Sequence, residues 1–136
     1  MPLKSKALVF DSWSIIAYLE DEPPAQKVEE IIVNAHEHRL SLLTTAINAG
    51  EVWYIMARKT SPVDADEAIR DIQSLGIELV SADWTLTKVA AMFKAKTKMS
   101  YADCFAAALA KKNQASLVTG DPEFKQVSND IKVLWL

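Results

Sequence analysis

The sequence predicts an α/β fold with a central, mainly parallel sheet that is covered by helices on both faces. Short apolar runs suited to buried strands alternate with longer stretches suited to helices along the whole chain. Prolines and a glycine stand near several of the points where one kind of segment gives way to the other. Strands that alternate with helices are joined by crossover connections, and such connections make neighbouring strands parallel.

Five stretches are predicted strands because each is a short run dominated by aliphatic residues. They are residues 7–10 (ALVF), 40–45 (LSLLTT), 77–81 (IELVS), 116–119 (SLVT) and 131–136 (IKVLWL). We find no repeat and no linker long enough to divide the chain. A chain of 136 residues is the size of one domain, so a single domain over residues 1–136 is predicted.

The stretches between the strands are predicted helices. Pro24 and Pro62 stand near two helix starts, and Gly76 follows a helix end. The stretch 46–59 is apolar around most of its circumference, which predicts a largely buried helix. The predicted helices are residues 12–21, 24–39, 46–59, 63–75, 83–98, 100–113 and 121–127.

Composition limits the class of protein. The chain is 50% hydrophobic and 24% charged, with a net charge of −3, which argues against a protein that coats nucleic acid by electrostatics alone. The N-terminal segment lacks the long apolar region of a signal peptide, and no apolar run approaches a membrane span. The single cysteine, Cys104, fits a reducing compartment. We therefore expect a cytoplasmic protein that does not enter a membrane.

Four acids are candidates for one site. Asp11 directly follows the first strand, and Asp121 follows the fourth strand after one glycine. Asp103 lies near the start of a helix, and Glu51 lies one turn into the helix after the second strand. In open parallel sheets the working site lies beyond the carboxyl ends of the strands. The four carboxylates are therefore expected at the same edge.

Each acid also has a structural interpretation. Asp11 and Asp121 are suited to cap the helices that follow them, and Ser100 and Asp103 have capping-box spacing.

Glu51 shares a narrow polar sector of its helix with Asn48 and Arg58. Either this sector faces solvent, or Glu51 lies near the core and needs a partner such as a metal ion.

Taken together, the acids predict a metal site. Carboxylates crowded in one pocket repel one another, and a divalent cation removes that penalty. Magnesium prefers oxygen ligands and commonly binds carboxylates together with substrate phosphates. Two such ions can activate water and stabilise the leaving oxygen of a phosphodiester. The acids therefore predict a metal-dependent phosphodiesterase.

The ordered acids and the residues around them resemble the PIN-domain ribonucleases, especially the small toxins of VapBC type. Three segments carry the resemblance: "LVFDSWSIIAYL", "LLTTAINAGEVWYI" and "MSYADCFAAALAKKNQASLVTGDPEF". Together with the chain length, the resemblance covers nearly the whole sequence. It implies a three-layer α/β/α, PIN-like (Rossmannoid) fold with a central parallel sheet of about five strands.

The resemblance also implies a function. It is endonucleolytic cleavage of RNA that depends on Mg²⁺ or Mn²⁺, with Asp11, Glu51, Asp103 and Asp121 as the acidic site. Asp11 and Asp103 are the first choices for direct metal ligands, and Thr119 is a candidate to orient water or a carboxylate. The resemblance further implies a toxin of a toxin–antitoxin pair, a homodimer and a small antitoxin partner that blocks the site.

Two other functions compete with this one. A phosphatase or receiver domain also places acids at strand ends, but "FDSWS" lacks the second acid that those proteins carry nearby. No Walker or dinucleotide-binding glycine motif is present. A catalytically silent PIN-like binding module is the other alternative, and the intact set of four acids counts against it.

Three further features have open interpretations. Lys94, Lys96 and Lys98 either contact an RNA backbone beside Asp103 or form a solvated helix face. The four tryptophans are expected mainly in the core, with contacts to a partner as the alternative. Gly50 is unfavourable inside a helix and is a candidate for close backbone packing near Glu51.

Overall fold

A computed structural model of the chain describes residues 6–136 and has five parallel strands with helices on both faces. Residues 1–5, where the segment considered as a signal peptide begins, lie outside the described residues. In chain order the elements are β1 Ala7–Phe10, α1 Ser12–Leu19, α2 Ala25–Glu37, β2 Ser41–Thr45, α3 Ala46–Lys59, α4 Pro62–Ser74, β3 Ile77–Val80, α5 Trp84–Lys96, α6 Tyr101–Lys112, β4 Ser116–Thr119, a 3₁₀ helix Pro122–Val127 and β5 Lys132–Trp135. The predicted α/β fold is confirmed.

The order of the strands across the sheet is β3-β2-β1-β4-β5, and every pair is parallel. The central strand β1 pairs with β2 on one side and with β4 on the other, so that Val9 lies opposite both Leu43 and Leu117. The chain winds outward to β3 and then returns to the other side of β1. The strand order therefore reverses between β1 and β4, which is where sheets of this kind bind their ligands.

The core lies in two layers, one on each face of the sheet. Alternate residues of a strand point to opposite faces, and β1 shows this clearly. Val9 packs into the cluster that contains residues of α5 and α6, whereas Leu8 and Phe10 pack into the cluster beneath α1 to α4. All four residues of β1 are buried, which accounts for its continuous apolar run.

Helix α3 differs from the prediction because it is not largely buried. Asn48, Ala49 and Val52 are buried, but the side chains of Ile47 and Tyr54 are 39% and 43% exposed. The helix packs against α4 and α6 with part of its circumference only. The apolar residues around most of α3 therefore predicted more burial than the helix has.

The tryptophans also depart from the expectation of core packing. Trp84 is 71% exposed, Trp135 is 38% exposed and Trp13 is 36% exposed. The largest fully buried side chains are those of Phe10, Phe93 and Phe124. The indole is large and is rarely buried completely, whereas these three phenylalanines are enclosed in the core.

Within residues 6–136, no helix combines the length and the apolar character that crossing a membrane requires.

Candidate active site

Asp11 is the most enclosed acid of the described chain. It follows β1 directly and is the N-cap of α1, where its Oδ1 accepts a hydrogen bond of 2.9 Å from the backbone N–H of Ser14. The side chain of Asp11 is fully buried. Its second oxygen, Oδ2, accepts a hydrogen bond of 2.5 Å from the hydroxyl of Thr119. Asp11 is therefore both a helix cap and an acid fixed at the switch point of the sheet.

Thr119 connects Asp11 to Asp121. It is the last residue of β4, and its Oγ1 also accepts a hydrogen bond of 3.0 Å from the backbone N–H of Asp121. Asp121 in turn caps the 3₁₀ helix, because its Oδ1 accepts a hydrogen bond of 2.9 Å from the N–H of Glu123. One hydroxyl thus links the two loops that leave β1 and β4.

Asp103 lies in the first turn of α6. The hydroxyl oxygen of Ser100 accepts a hydrogen bond of 3.1 Å from the N–H of Asp103, so the predicted cap forms. The buried side chain of Asn48 donates from Nδ2 to the carbonyl of Ala102 over 3.1 Å. Asn48 itself accepts a hydrogen bond of 2.6 Å from the hydroxyl of Thr45. The first turn of α3 is therefore joined to the first turn of α6, beside Asp103.

Glu51 is partly buried and has partners within the protein. Its Oε1 accepts a hydrogen bond from the hydroxyl of Ser12, and its Oε2 accepts one of 3.5 Å from Tyr54. Asn48, which shares its sector of the helix, is fully buried. The interpretation of this sector as a thin solvent-facing stripe is therefore wrong at Asn48.

The acids are coupled through their charges. Burial raises the pKa of Asp11 to about 7, against the hydrogen bonds from Thr119 and Ser14, and the charge of Asp103 adds to the rise. The pKa of Asp103 is raised to about 6. Burial is the largest cause, and the charges of Asp121, Glu51 and Glu123 add to the rise. Asp103 is therefore the acid on which the charges of the other site acids converge, and its own charge reaches Asp11.

This set of oxygen donors is chemically suited to a hard divalent cation, because concentrated negative charge is what such an ion relieves. The ion pairs found among residues 6–136 are Lys59–Glu20 and Lys96–Asp130, and they involve none of the site acids. The acids do not form a closed cage. Over the same residues, no three His, Cys, Asp or Glu side chains lie close enough together to hold a metal ion.

The comparison with protein families is decisive. Residues 8–130 match the PIN domain. This chain belongs to the PIN-domain family. The matched residues span all four acids and Thr119. Membership of the PIN-domain family excludes the phosphatase and receiver alternatives.

Solved structures share the fold of this PIN domain. DNA-bound VapBC from Salmonella typhimurium has a TM-score of 0.74 at 16% identity, over 94% of this chain and 96% of that chain. VapC20 of Mycobacterium tuberculosis, a toxin that cleaves the sarcin–ricin loop, has a TM-score of 0.70 at 14% identity, over 93% and 98%. FitAcB from Neisseria gonorrhoeae has a TM-score of 0.65 at 19% identity, over 94% and 96%. No curated protein matches the sequence.

Three interactions around the acids were not predicted from the sequence. Ser12 holds Glu51, Asn48 joins α3 to α6, and the charge of Glu123 raises the pKa of Asp103. Ser12 and Glu123 each lie within two residues of a predicted acid, which is a usable signal. The contact of Asn48 with Ala102 spans 54 positions in sequence, and only the fold brings them together.

The three lysines that precede α6 make hydrogen bonds or ion pairs with other groups of the protein. Lys94 donates from Nζ to the carbonyl of Met99 over 2.6 Å, and Lys96 lies 3.4 Å from Asp130. The backbone N–H of Lys98 donates to Gln126 over 3.0 Å. These contacts fix the segment that enters α6, and a role for the lysines in holding RNA stays a prediction.

Proposed function

We propose that this PIN domain, over residues 1–136, is an endoribonuclease that depends on Mg²⁺ or Mn²⁺ and is the toxin of a type II toxin–antitoxin pair. The observation that carries the proposal is the coupling of four carboxylates at the switch point of a parallel sheet. Membership of the PIN-domain family supports nuclease chemistry. The fold that the chain shares with VapC20, a toxin that cleaves the sarcin–ricin loop, supports RNA as the substrate.

In this proposal the acids divide into two roles. Asp11 and Asp103 are the primary ligands of the cation, and Glu51 and Asp121 complete the site directly or through water. When it is bound, the cation supplies an activated water and stabilises the charge on the leaving oxygen of the phosphodiester. Because the acids do not form a closed cage, cation binding requires side-chain adjustment.

The hydrogen-bonded neighbours keep the carboxylates in position. Thr119 holds Oδ2 of Asp11, and Ser12 holds one oxygen of Glu51. Each of these acids retains lone pairs for a cation, because a carboxylate accepts several bonds. Asn48 fixes the start of the helix that carries Asp103. Outer partners of this kind commonly change metal affinity or activity by about 10- to 100-fold.

The partners belong to the same proposal. Several of the similar structures are toxin–antitoxin complexes, which supports a small antitoxin that covers the acidic edge. A homodimer in the cytoplasm is the assembly that we propose. Sedimentation of the purified chain measures its state, and a monomer at micromolar concentration would contradict the dimer.

The test of the function is RNA cleavage by matched proteins. Wild type, Asp11→Asn, Asp103→Asn and Asp71→Asn are purified identically and incubated with total cellular RNA in Mg²⁺, Mn²⁺ or EDTA. Asp71 is the matched control because it is an exposed aspartate near the end of α4, which leads to the opposite edge of the sheet. Wild type and Asp71→Asn should produce the same discrete fragments, and EDTA should abolish them.

Each site substitution should lower the cleavage rate by roughly 10²- to 10⁴-fold, because metal-assisted catalysis supplies several kcal/mol. Equal cleavage by all four proteins would show contamination or a site that does not need these acids. If no protein cleaves RNA, the activity is contradicted, and the silent binding module becomes the better account.

A further inference from the structure

Trp13 lies at the rim of the acidic site. It is the second residue of α1, between the buried serines Ser12 and Ser14 and two positions after Asp11. Its own side chain is 36% exposed. The helix therefore buries the residues on either side of Trp13 and presents the indole at the surface, next to the acid that caps the helix.

The position of the indole ring is set by Gly120. A Cβ added at Gly120 would lie 2.2 Å from Cη2 of Trp13 and 2.5 Å from Cζ3, so the benzo edge of the ring occupies the space that a side chain would need. Gly120 separates Thr119, which holds Asp11, from Asp121. One edge of the ring thus lies against Gly120, in the short segment between Thr119 and Asp121.

The net charge of the protein favours a source of RNA affinity that does not depend on charge. Its net charge is −3, and carboxylates dominate the site. Electrostatic attraction alone therefore gives little affinity for an RNA backbone in the absence of a cation. Stacking of an unpaired base on an aromatic ring is a neutral source of affinity, and it changes binding by a factor of roughly 5 to 150 per base.

We propose that Trp13 stacks on an unpaired base of the RNA next to the scissile phosphate and so positions the substrate at the acids. The inference rests on the proposed function, because it places a phosphodiester at the acids. A base that stacks on an exposed side chain must leave its own helix, and single-stranded loops and ends offer such bases. Trp13 is therefore a residue that positions substrate, and it takes no part in metal binding.

The test measures RNA binding by the Asp103→Asn protein in the presence of Mg²⁺. This protein is the parent of the variants below, because the Asp103→Asn substitution prevents cleavage of the probe. The probes are a fluorescent 12-nucleotide single-stranded RNA of mixed sequence and an abasic strand of the same length. Trp13→Leu keeps an apolar side chain near Gly120 but removes the aromatic face, and Trp13→Phe keeps a smaller aromatic face. Trp84→Leu is the control, because Trp84 is 71% exposed but follows β3, which β2 separates from β1.

Trp13→Leu should weaken binding of the RNA by about 5- to 50-fold, and Trp13→Phe should weaken it by less than about fivefold. The abasic strand should bind the parent protein more weakly than the RNA does, and Trp13→Leu should not change its affinity. Trp84→Leu should bind both probes as the parent does. Indole fluorescence should be quenched by the RNA in the parent and less so in Trp13→Phe, which tests stacking even if Trp13→Leu folds poorly.

Three results would overturn the inference. If Trp13→Leu binds RNA as tightly as the parent, no RNA base stacks on this ring. If the substitution weakens binding of the RNA and of the abasic strand equally, the ring acts by packing on Gly120. If the parent binds no RNA while wild type cleaves none, the proposed function and this inference fail together.

Discussion

At the scale of single residues, the capping role and the site role of the acids coincide. Asp11 and Asp121 each hold a helical N–H with Oδ1, and each lies at the end of a strand that flanks the switch point. A cap fixes the rotamer of a carboxylate while part of it stays available to a ligand. The structural and functional interpretations of these residues are therefore compatible.

Asp11 should make the stability of the metal-free protein depend on pH. Its pKa rises from 3.8 to about 7 on folding, so between these values the folded chain binds more protons than the unfolded chain. Protonated Asp11 thus makes its whole contribution to stability below about pH 4, and this contribution is lost as the pH rises through about 7. Asp11→Asn should be more stable than wild type at pH 8 by about 2 to 4 kcal/mol, and nearly equal at pH 4.

Urea unfolding in EDTA at pH 4, 6 and 8 measures this difference. Asp71→Asn, on the exposed face of α4, should change stability by less than about 0.5 kcal/mol at every pH. A wild type that is as stable as Asp11→Asn at pH 8 would show that Asp11 is not held in a desolvated site.

Substitution of two glycines by alanine should change the stability of the protein in opposite directions. Gly50 lies inside α3 with nothing within 4 Å of an added Cβ, so the suggestion of close backbone packing there is wrong. Gly50→Ala should stabilise the protein by about 0.5 to 1 kcal/mol, because alanine favours the helix. Gly120→Ala should destabilise it by about 1 to 3 kcal/mol and shift the fluorescence of Trp13, because its methyl group needs the space of the indole.

Thermal unfolding of both glycine variants provides the comparison. Similar shifts in both would mean that the indole moves away freely, and that Gly120 does not fix its position.

At the scale of elements, the acids depend on how two helices meet. Asn48 joins the first turn of α3 to Ala102 in the first turn of α6 and is itself held by Thr45. Both helices begin with a side-chain cap, from Thr45 and from Ser100. The starts of these helices are thus fixed relative to each other, next to Glu51 and Asp103.

Asn48→Ala should therefore reduce both stability and activity. It leaves the carbonyl of Ala102 without its side-chain donor, which should cost about 1 to 3 kcal/mol. Cleavage should fall about 10- to 100-fold at temperatures where the variant is fully folded. Asn34→Ala, at an exposed position on α2, is the control, and equal activity of the two variants would remove Asn48 from the account of the site.

The sequence was sufficient to predict most elements because each has a local cause. The strands β1 and β4 were predicted with their observed bounds, and α3 began and ended where expected. Apolar runs, caps and prolines act within a few residues, so one sequence contains them. The exposure of Ile47 and Tyr54 could not be predicted, because it depends on which face of α3 meets α4 and α6.

At the scale of the whole molecule, the topology brings distant residues together. Thr119 and Asp11 are 108 positions apart, and Ser12 and Glu51 are 39 positions apart. The prediction that the four acids share an edge relied on the rule for parallel sheets. Which hydroxyl or amide holds each acid depends on side-chain packing, and the sequence alone did not predict those partners.

We propose that the four acids together bind a divalent cation. Titration calorimetry with Mn²⁺ at pH 7 tests it most directly, on wild type, Asp11→Asn, Asp103→Asn and Asp71→Asn. Wild type and Asp71→Asn should bind Mn²⁺ saturably, and both site variants should bind it with an affinity at least about tenfold lower. Equal Mn²⁺ binding by all four proteins, or none by wild type, would contradict it.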